Sequence, residues 1–219
     1  TLHFVTPTRA WSMMVAHFGA SWQHTVQVEN TTGAGGSIGI ARVMSAAPDG
    51  YTLMMAANAL AANMALYQPA PFDAERDLVP VSLIGRVPVV IAAHAAVPYA
   101  NIKELIAAAK AKPGSVRWAT SGLATVGHIV LEQVQQGVKV EFTHVPYKGG
   151  GQQLTDALGG QFEVLSTNLS AAVMPHIKSG KLRAIAVGTS KRIPAMPDVP
   201  TVAEMGFKDF ETSQWYGVL

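Results

Sequence analysis

Three stretches of this sequence set small, hydroxylated and glycine residues between an apolar run and a helical one. They are Gly33-Ala-Gly35-Gly36-Ser-Ile-Gly39, Thr120-Ser121-Gly122-Leu-Ala124-Thr125-Val-Gly-His128 and Tyr147-Lys148-Gly149-Gly150. A strand-to-helix junction of this composition exposes backbone N–H groups at the positive end of a helix, where small anions bind. Ser121 and Thr125 add hydroxyls that cap a helix or donate to a carboxylate. Lys148 either holds an anion or stands as a solvated lysine at a helix start. Asn168 follows one apolar run and Asn58 another, so both are placed to face a cleft. Asn58 is the better placed of the pair Asn58 and Asn63, being nearer its strand end.

Other chemistries fail on spacing. Counting G-x-G-x-x-G from Gly33 puts Ile38 at the third glycine, and Asp49 lies in a Pro-Asp-Gly turn, so a dinucleotide fingerprint is not met. A nucleophile elbow around Ser121 needs glycines where Ala119 and Leu123 stand. His128 lies one turn inside its helix and reads as a buried histidine bonded to backbone. The seven histidines are dispersed and form no zinc-binding pair, so no metal site is expected. Carboxylates are sparse and offer no acid–base dyad. There is no cysteine, which excludes disulfides, thiolate metal sites and a cysteine nucleophile.

The elements that must position these residues alternate. Strands are expected at Leu2–Thr6, Val26–Val28, Tyr51–Ala56, Val79–Ile84, Val89–Ala93, Val116–Ala119, Glu141–His144, Phe162–Leu165 and Leu182–Val187. Helices are expected at Arg9–Trp22, Ser37–Ala46 and Asn101–Lys110, and near 126–136, 151–158 and 170–179. Asn101 with Glu104 three residues on reads as a capping box. The βα rhythm argues for parallel sheets with helices on both faces. Its interruption at 94–100 and again at 208–214 suggests a hinged protein of two lobes.

Composition narrows the partners. The 219 residues are 49% hydrophobic, enough for a sizeable core, and a net charge of +2 without a basic stripe does not suggest nucleic acid. The longest apolar run, Val87 to Tyr99, is too short to span a bilayer. Thr1–Val5 already reads as strand, so an exported protein would be seen here in its mature form, without a signal peptide.

Taken in order, a set of pieces resembles the Bordetella uptake family, the substrate-binding receptors of tripartite tricarboxylate transporters. They are Val28-Glu-Asn with Gly33–Gly39, Ala47-Pro-Asp-Gly-Tyr-Thr-Leu53, Asn63–Tyr67, Phe72-Asp, Asp77–Ser82, Gly122 with Thr125 and His128, Val145–Gly150, and Pro200–Phe207. The resemblance runs to Trp215-Tyr-Gly217. It implies an α/β fold of the type II-like, Venus-flytrap kind: a two-lobe periplasmic binding protein with mostly parallel sheets flanked by helices. The first lobe would span 1–97 and the second 98–212, with 213–219 starting back toward the first. By the same resemblance the protein is a monomeric periplasmic receptor without a cofactor. It takes a small carboxylate between its lobes and delivers it to membrane permease subunits. Dicarboxylates, tricarboxylates, acidic amino acids and aromatic carboxylates all fit the family; Trp11, Tyr147 and Trp215 hint at an aromatic or amphipathic body.

The ligand-binding set expected on this basis is Thr6, Pro7, Thr8, Gly35, Gly36 and Asn58 from the first lobe. The second lobe adds Ser121, Gly122, Thr125, Tyr147, Lys148, Gly149 and Asn168. Two departures from the family pattern stand out. The segment Val5–Trp11 lacks the family's glycine-rich loop, and the family pattern continues past Leu219 with elements that complete the first lobe. Ala124 also stands where a glycine is common. The rival reading is a small α/β enzyme acting on an acyl or phosphorylated substrate through Ser121 or Lys148, which turnover would reveal. A third is a receptor lobe without ligand affinity.

Overall fold

The computed structural model describes residues 1–6, 15, 17, 19–21, 23–31, 36–67, 69–70, 72–207, 210 and 212–219. Pro7, Thr8, Trp11 and Gly35 lie outside them, as does most of the helix expected at 9–22. The strands are β1 (Leu2–Thr6), β2 (Val26–Asn30), β3 (Thr52–Ala57), β4 (Ser82–His94), β5 (Arg117–Thr120), β6 (Thr143–Pro146), β7 (Val164–Asn168), β8 (Leu182–Val187) and β9 (Ser213–Val218). The helices are α1 (Ser37–Met44), α2 (Ala59–Leu66), α3 (Ala74–Asp77), α4 (Ile102–Ala111), α5 (Val126–Val138), α6 (Gly150–Leu158) and α7 (Met174–Lys178), with a 3-10 turn at Ala203–Met205. The chain forms two compact units, one of residues 1–86 with 215–219, the other of residues 87–214.

In the first unit β1 lies between β2 and β3, parallel to both, and β9 closes on β3 antiparallel. Side chains alternate across a strand. Met55 therefore joins Phe4 and Val218 in one cluster, while its neighbour Met54 packs with Ile40 and Phe72 in another.

In the second unit the strand order is β8-β4-β7-β5-β6. The β7-β5-β6 portion is parallel, and β4 runs antiparallel to both its neighbours. Residues 89–93 of β4 are all buried, as a strand covered on both faces must be. Val89, Ile91 and Ala93 meet Ile102 and Leu105 of α4 and Val130, Leu131 and Val134 of α5. On the opposite face Ala92 joins Ala119, Leu165 and Ala157 of α6. This places helices on both faces of the sheet.

Two expectations change in detail. The separate strands foreseen at 79–84 and 89–93 are one strand, β4, because Pro88 does not break it. Pro88 lacks an N–H, but its carbonyl still accepts the Leu169 N–H at 2.8 Å. At α4 the Asn101 Oδ1 accepts the Glu104 N–H at 3.0 Å, as a capping residue should. The Glu104 carboxylate, however, takes the Ala100 N–H and the Asn101 side-chain amide rather than the Asn101 N–H.

Candidate functional site

The carboxyl ends of β6, β5 and β7 lie side by side. Thr120 is opposite Pro146, and Ala119 opposite Leu165. In an open α/β sheet this edge is where ligands bind. The loops leaving β5 and β6 are stitched together: the Tyr147 N–H donates to the Thr120 carbonyl and the Gly149 N–H to the Ser121 carbonyl, both at 2.9 Å. Ser121, Gly122, Thr125, Tyr147, Lys148 and Gly149 are thereby brought into one pair of loops. Asn168, half-buried, ends β7 opposite Val89.

Gly122 is required where it stands. Its φ is +150°, and a Cβ there would come within 3.2 Å of the Tyr147 carbonyl oxygen. Thr125 is the N-cap of α5, but its hydroxyl turns back and donates to the Gly122 carbonyl at 2.7 Å. That proton is therefore spent within the loop, and the first N–H groups of α5 have no side-chain cap. At α6 the N-cap is Gly149, again without a side-chain bond. A Cβ added at Gly149, Gly150 or Gly151 would meet nothing within 4 Å. Packing does not demand these glycines, although the φ of +126° at Gly149 does favour glycine there; at Gly150 and Gly151 the effect is to leave the backbone donors at the start of α6 uncovered.

Beneath the loops lies a buried polar layer that sequence reading missed. Gln153 donates through Nε2 to the carbonyls of Ala119 (3.0 Å) and Ser166 (3.1 Å), tying β5 to β7. On the other face the Ser166 hydroxyl accepts from Trp118 Nε1 at 3.0 Å and donates to the Gly127 carbonyl at 2.6 Å. The available signal was helical spacing: Gln153 lies four residues before buried Ala157, on the inner face of α6.

Tyr147 uses its side chain elsewhere. Its hydroxyl donates to Asp156 Oδ2 at 2.8 Å, and its ring packs edge-on against Phe162. Burial, then the bond to Asp156, holds the phenol above its ordinary pKa. Toward the loops it therefore presents backbone. Lys148 is exposed. His128 is bonded to backbone, as expected, accepting the Ala124 N–H at Nδ1 (3.3 Å), but it is half-buried rather than buried.

In the first unit, the ends of β1, β2 and β3 also share an edge. Thr6 is fully buried and donates to Asn30 Oδ1 at 2.8 Å. Asn58 accepts the Trp215 N–H on its Oδ1 at 2.8 Å, which anchors β9. Gly36 is the N-cap of α1, without a side-chain bond. Among the described residues no group of three or more His, Asp or Glu is arranged to hold a metal ion. No helix among them is long and apolar enough to cross a membrane.

Glycine-bearing strand-to-helix junctions on α/β units suit the binding of a small anion, and comparison with known proteins shows the class of protein that carries them here. Residues 16–219 match the tripartite tricarboxylate transporter family receptor, and the chain belongs to that family, one of receptors rather than enzymes. It is 38% identical over 196 residues to protein BugT of Bordetella pertussis, covering 89% of this chain and 60% of the relative. The chain thus spans about 60% or less of the length of the first curated relatives it matches. Two solved structures are similar over all of it. One is a Rhodopseudomonas palustris protein with adipate (29% identity, TM-score 0.90, 75% of that chain covered). The other is MatC of Rhodopseudomonas palustris with bound malate (27% identity, TM-score 0.89, 76% of that chain covered).

Proposed function

We propose that the protein is an extracytoplasmic receptor that binds a small carboxylate and delivers it to the permease of a tripartite tricarboxylate transporter. The observation that carries this is the stitched pair of loops after β5 and β6, with the starts of α5 and α6 uncapped behind them. The ligands of the two solved relatives, adipate and malate, support a dicarboxylate of similar size. No arginine occurs in 121–125 or 147–149, so recognition rests on backbone donors, the Ser121 hydroxyl and the helix ends. Each helix end favours an anion by about 0.3–1 kcal/mol when exposed, and more when water is excluded. The α5 and α6 starts act together with the loop N–H groups, an arrangement that accepts an anion without an arginine clamp.

The test is native mass spectrometry of freshly purified protein, followed by a thermal-shift screen of mono-, di- and tricarboxylates. A ligand of the folded state raises the melting temperature by mass action. A co-purified acid, or a clear rise with one carboxylate, is expected; no bound acid and no shift across the panel sinks the proposal. With that carboxylate, S121L/T125L is expected to weaken binding by about tenfold or more, roughly 1.4 kcal/mol, while still unfolding cooperatively.

A further inference from the structure

Ala124 is one of three non-glycine residues, among those described, in the left-handed region, with φ at +59°. Alanine does not favour this conformation, because its Cβ crowds the following carbonyl. It is also buried, only 4% exposed. It sits three residues after Ser121 and immediately before the N-cap of α5, where the loop turns into the helix. What holds it is visible: its N–H points at Nδ1 of His128. Because Nδ1 accepts, the neutral ring carries its proton on Nε2, which lies 3.5 Å from Glu132 Oε1.

His128 does not act alone. Its ring stacks on His144, with centroids 4.4 Å apart and planes 8° from parallel. His144 Nε2 lies 2.7 Å from the Thr120 hydroxyl, which is itself 3.1 Å from the Gly122 carbonyl. The two rings thus grip one loop at two points, Ala124 directly and Gly122 through Thr120. Among the described residues the ionisable groups facing the pair are Glu132 on α5 and the two rings themselves; β5 presents only the Thr120 hydroxyl.

We infer that His128 is a positioning residue for the ligand loop: its unprotonated Nδ1 locks Ala124 in the left-handed turn, and a proton on Nδ1 releases it. The protonated nitrogen becomes a donor facing a donor, and the bond to Ala124 is lost. A second charge in the stack would lie 4.4 Å from the first, so the pair accepts one proton far more readily than two. Burial, and then charge on His128, lowers the affinity of His144 for a proton, while Glu132 opposes this. Ligand affinity then falls when Nδ1 is protonated, because the contact that holds the turn is gone. The inference rests on the loop being the carboxylate site, and the measurements separate the two.

The first measurement needs no ligand. Long-range proton–nitrogen spectra of the full chain are expected to show neutral His128 protonated at Nε2, with the Ala124 amide signal moving as His128 titrates. A ring protonated at Nδ1, or an Ala124 amide indifferent to that titration, overturns the lock whatever the protein binds. The second measures affinity for the carboxylate selected by the thermal-shift panel, between about pH 5 and 8. H128F is expected to bind about tenfold more weakly. H128N keeps an acceptor oxygen where Nδ1 stood, so it stays within about threefold of wild type and loses the pH dependence. A124G/H128F recovers affinity, because glycine adopts the turn without help. Wild-type affinity in H128F, failure of H128N to outperform it, or failure of A124G to rescue it overturns the inference. Should H128F not fold, H128N and A124G decide the matter through their pH profiles: both are expected to be flatter than wild type, and profiles like wild type overturn it. A wild-type chain that binds no carboxylate removes the receptor proposal, and the spectra still decide the lock.

Discussion

Two glycines on neighbouring helices do opposite things. A Cβ at Gly127 would fall 2.8 Å from the Ser166 carbonyl oxygen and 2.9 Å from its hydroxyl, so α5 packs on β7 only because no side chain intervenes. At Gly151, in the first turn of α6, a Cβ meets open space. G127A should therefore cost about 2 kcal/mol or more, combining overpacking with loss of the Ser166 bond. G151A should be neutral or stabilising by up to about 1 kcal/mol, as alanine replaces glycine in a helix. It should nevertheless weaken carboxylate binding, since a methyl then stands beside the uncovered donors. Urea midpoints check both variants, with an unchanged denaturant slope showing that stability alone has moved. Wild-type stability in G127A would refute the packing account. The grouping of these residues was legible in the sequence: Ser121, Gly122, Thr125 and Gly149 do share one pair of loops. The roles of individual atoms were not. Thr125 spends its proton on Gly122 and Tyr147 turns to Asp156, choices set by packing that residue type does not reveal.

At the scale of elements, β5 and β7 are fastened at both ends. Gln153 joins them near the loops that follow β5 and β6. At the other end Arg117, the first residue of β5, meets Glu163, just before β7, through its guanidinium (2.6 Å) and its backbone N–H (2.8 Å). Burial acts to raise the Glu163 pKa, but the Arg117 side-chain bond, its backbone N–H and its charge together outweigh burial, and the carboxyl lies below its ordinary value. A carboxyl depressed in the folded state contributes stability above its unfolded pKa and loses it as the pH falls through the folded value. E163Q should thus lose stability at neutral pH, by about 1 kcal/mol or less because Arg117 is partly exposed. The gap to wild type should close as acidification protonates Glu163. A gap that persists at a pH below the folded value would show that shape, not charge, makes the contact. The sequence rhythm located these strands to within a few residues, because apolar runs and turn residues are local signals. It did not reveal that β4 runs antiparallel to β7 and β8, nor that 213–218 forms a strand, antiparallel to β3, since strand direction is fixed by partners far away in sequence. Nor did it join 82–84 to 89–93, because Pro88 stands between them and proline is rare inside a strand.

The largest scale is that of the two compact units, and they differ in how the chain supplies them. The second is continuous, residues 87–214, and holds its own core around Trp118, Ile91, Leu105 and Leu131. The first draws a strand from residues 215–219: β9 pairs with β3 from Met55–Val218 to Ala57–Tyr216, and Met54 and Leu219 exchange backbone bonds at 2.9 and 3.0 Å. Residues 87–214 made alone should therefore fold cooperatively, whereas removing 215–219 from the full chain should lower the stability of the first unit and leave the second unchanged. The isolated stretch has a built-in reporter. Of the four tryptophans it retains only Trp118, which is fully buried, bonded to Ser166 and packed edge-on against Phe142 at 5.0 Å. Its fluorescence should be blue-shifted in buffer and move to the red in a single step with urea, coincident with loss of helical circular dichroism. Because the Ser166 hydroxyl also holds Gly127, a native Trp118 signal means the support beneath the loops after β5 and β6 has formed. A red-shifted Trp118 in the absence of urea would mean that residues 87–214 do not carry their own fold, and that these loops owe their geometry to the rest of the chain.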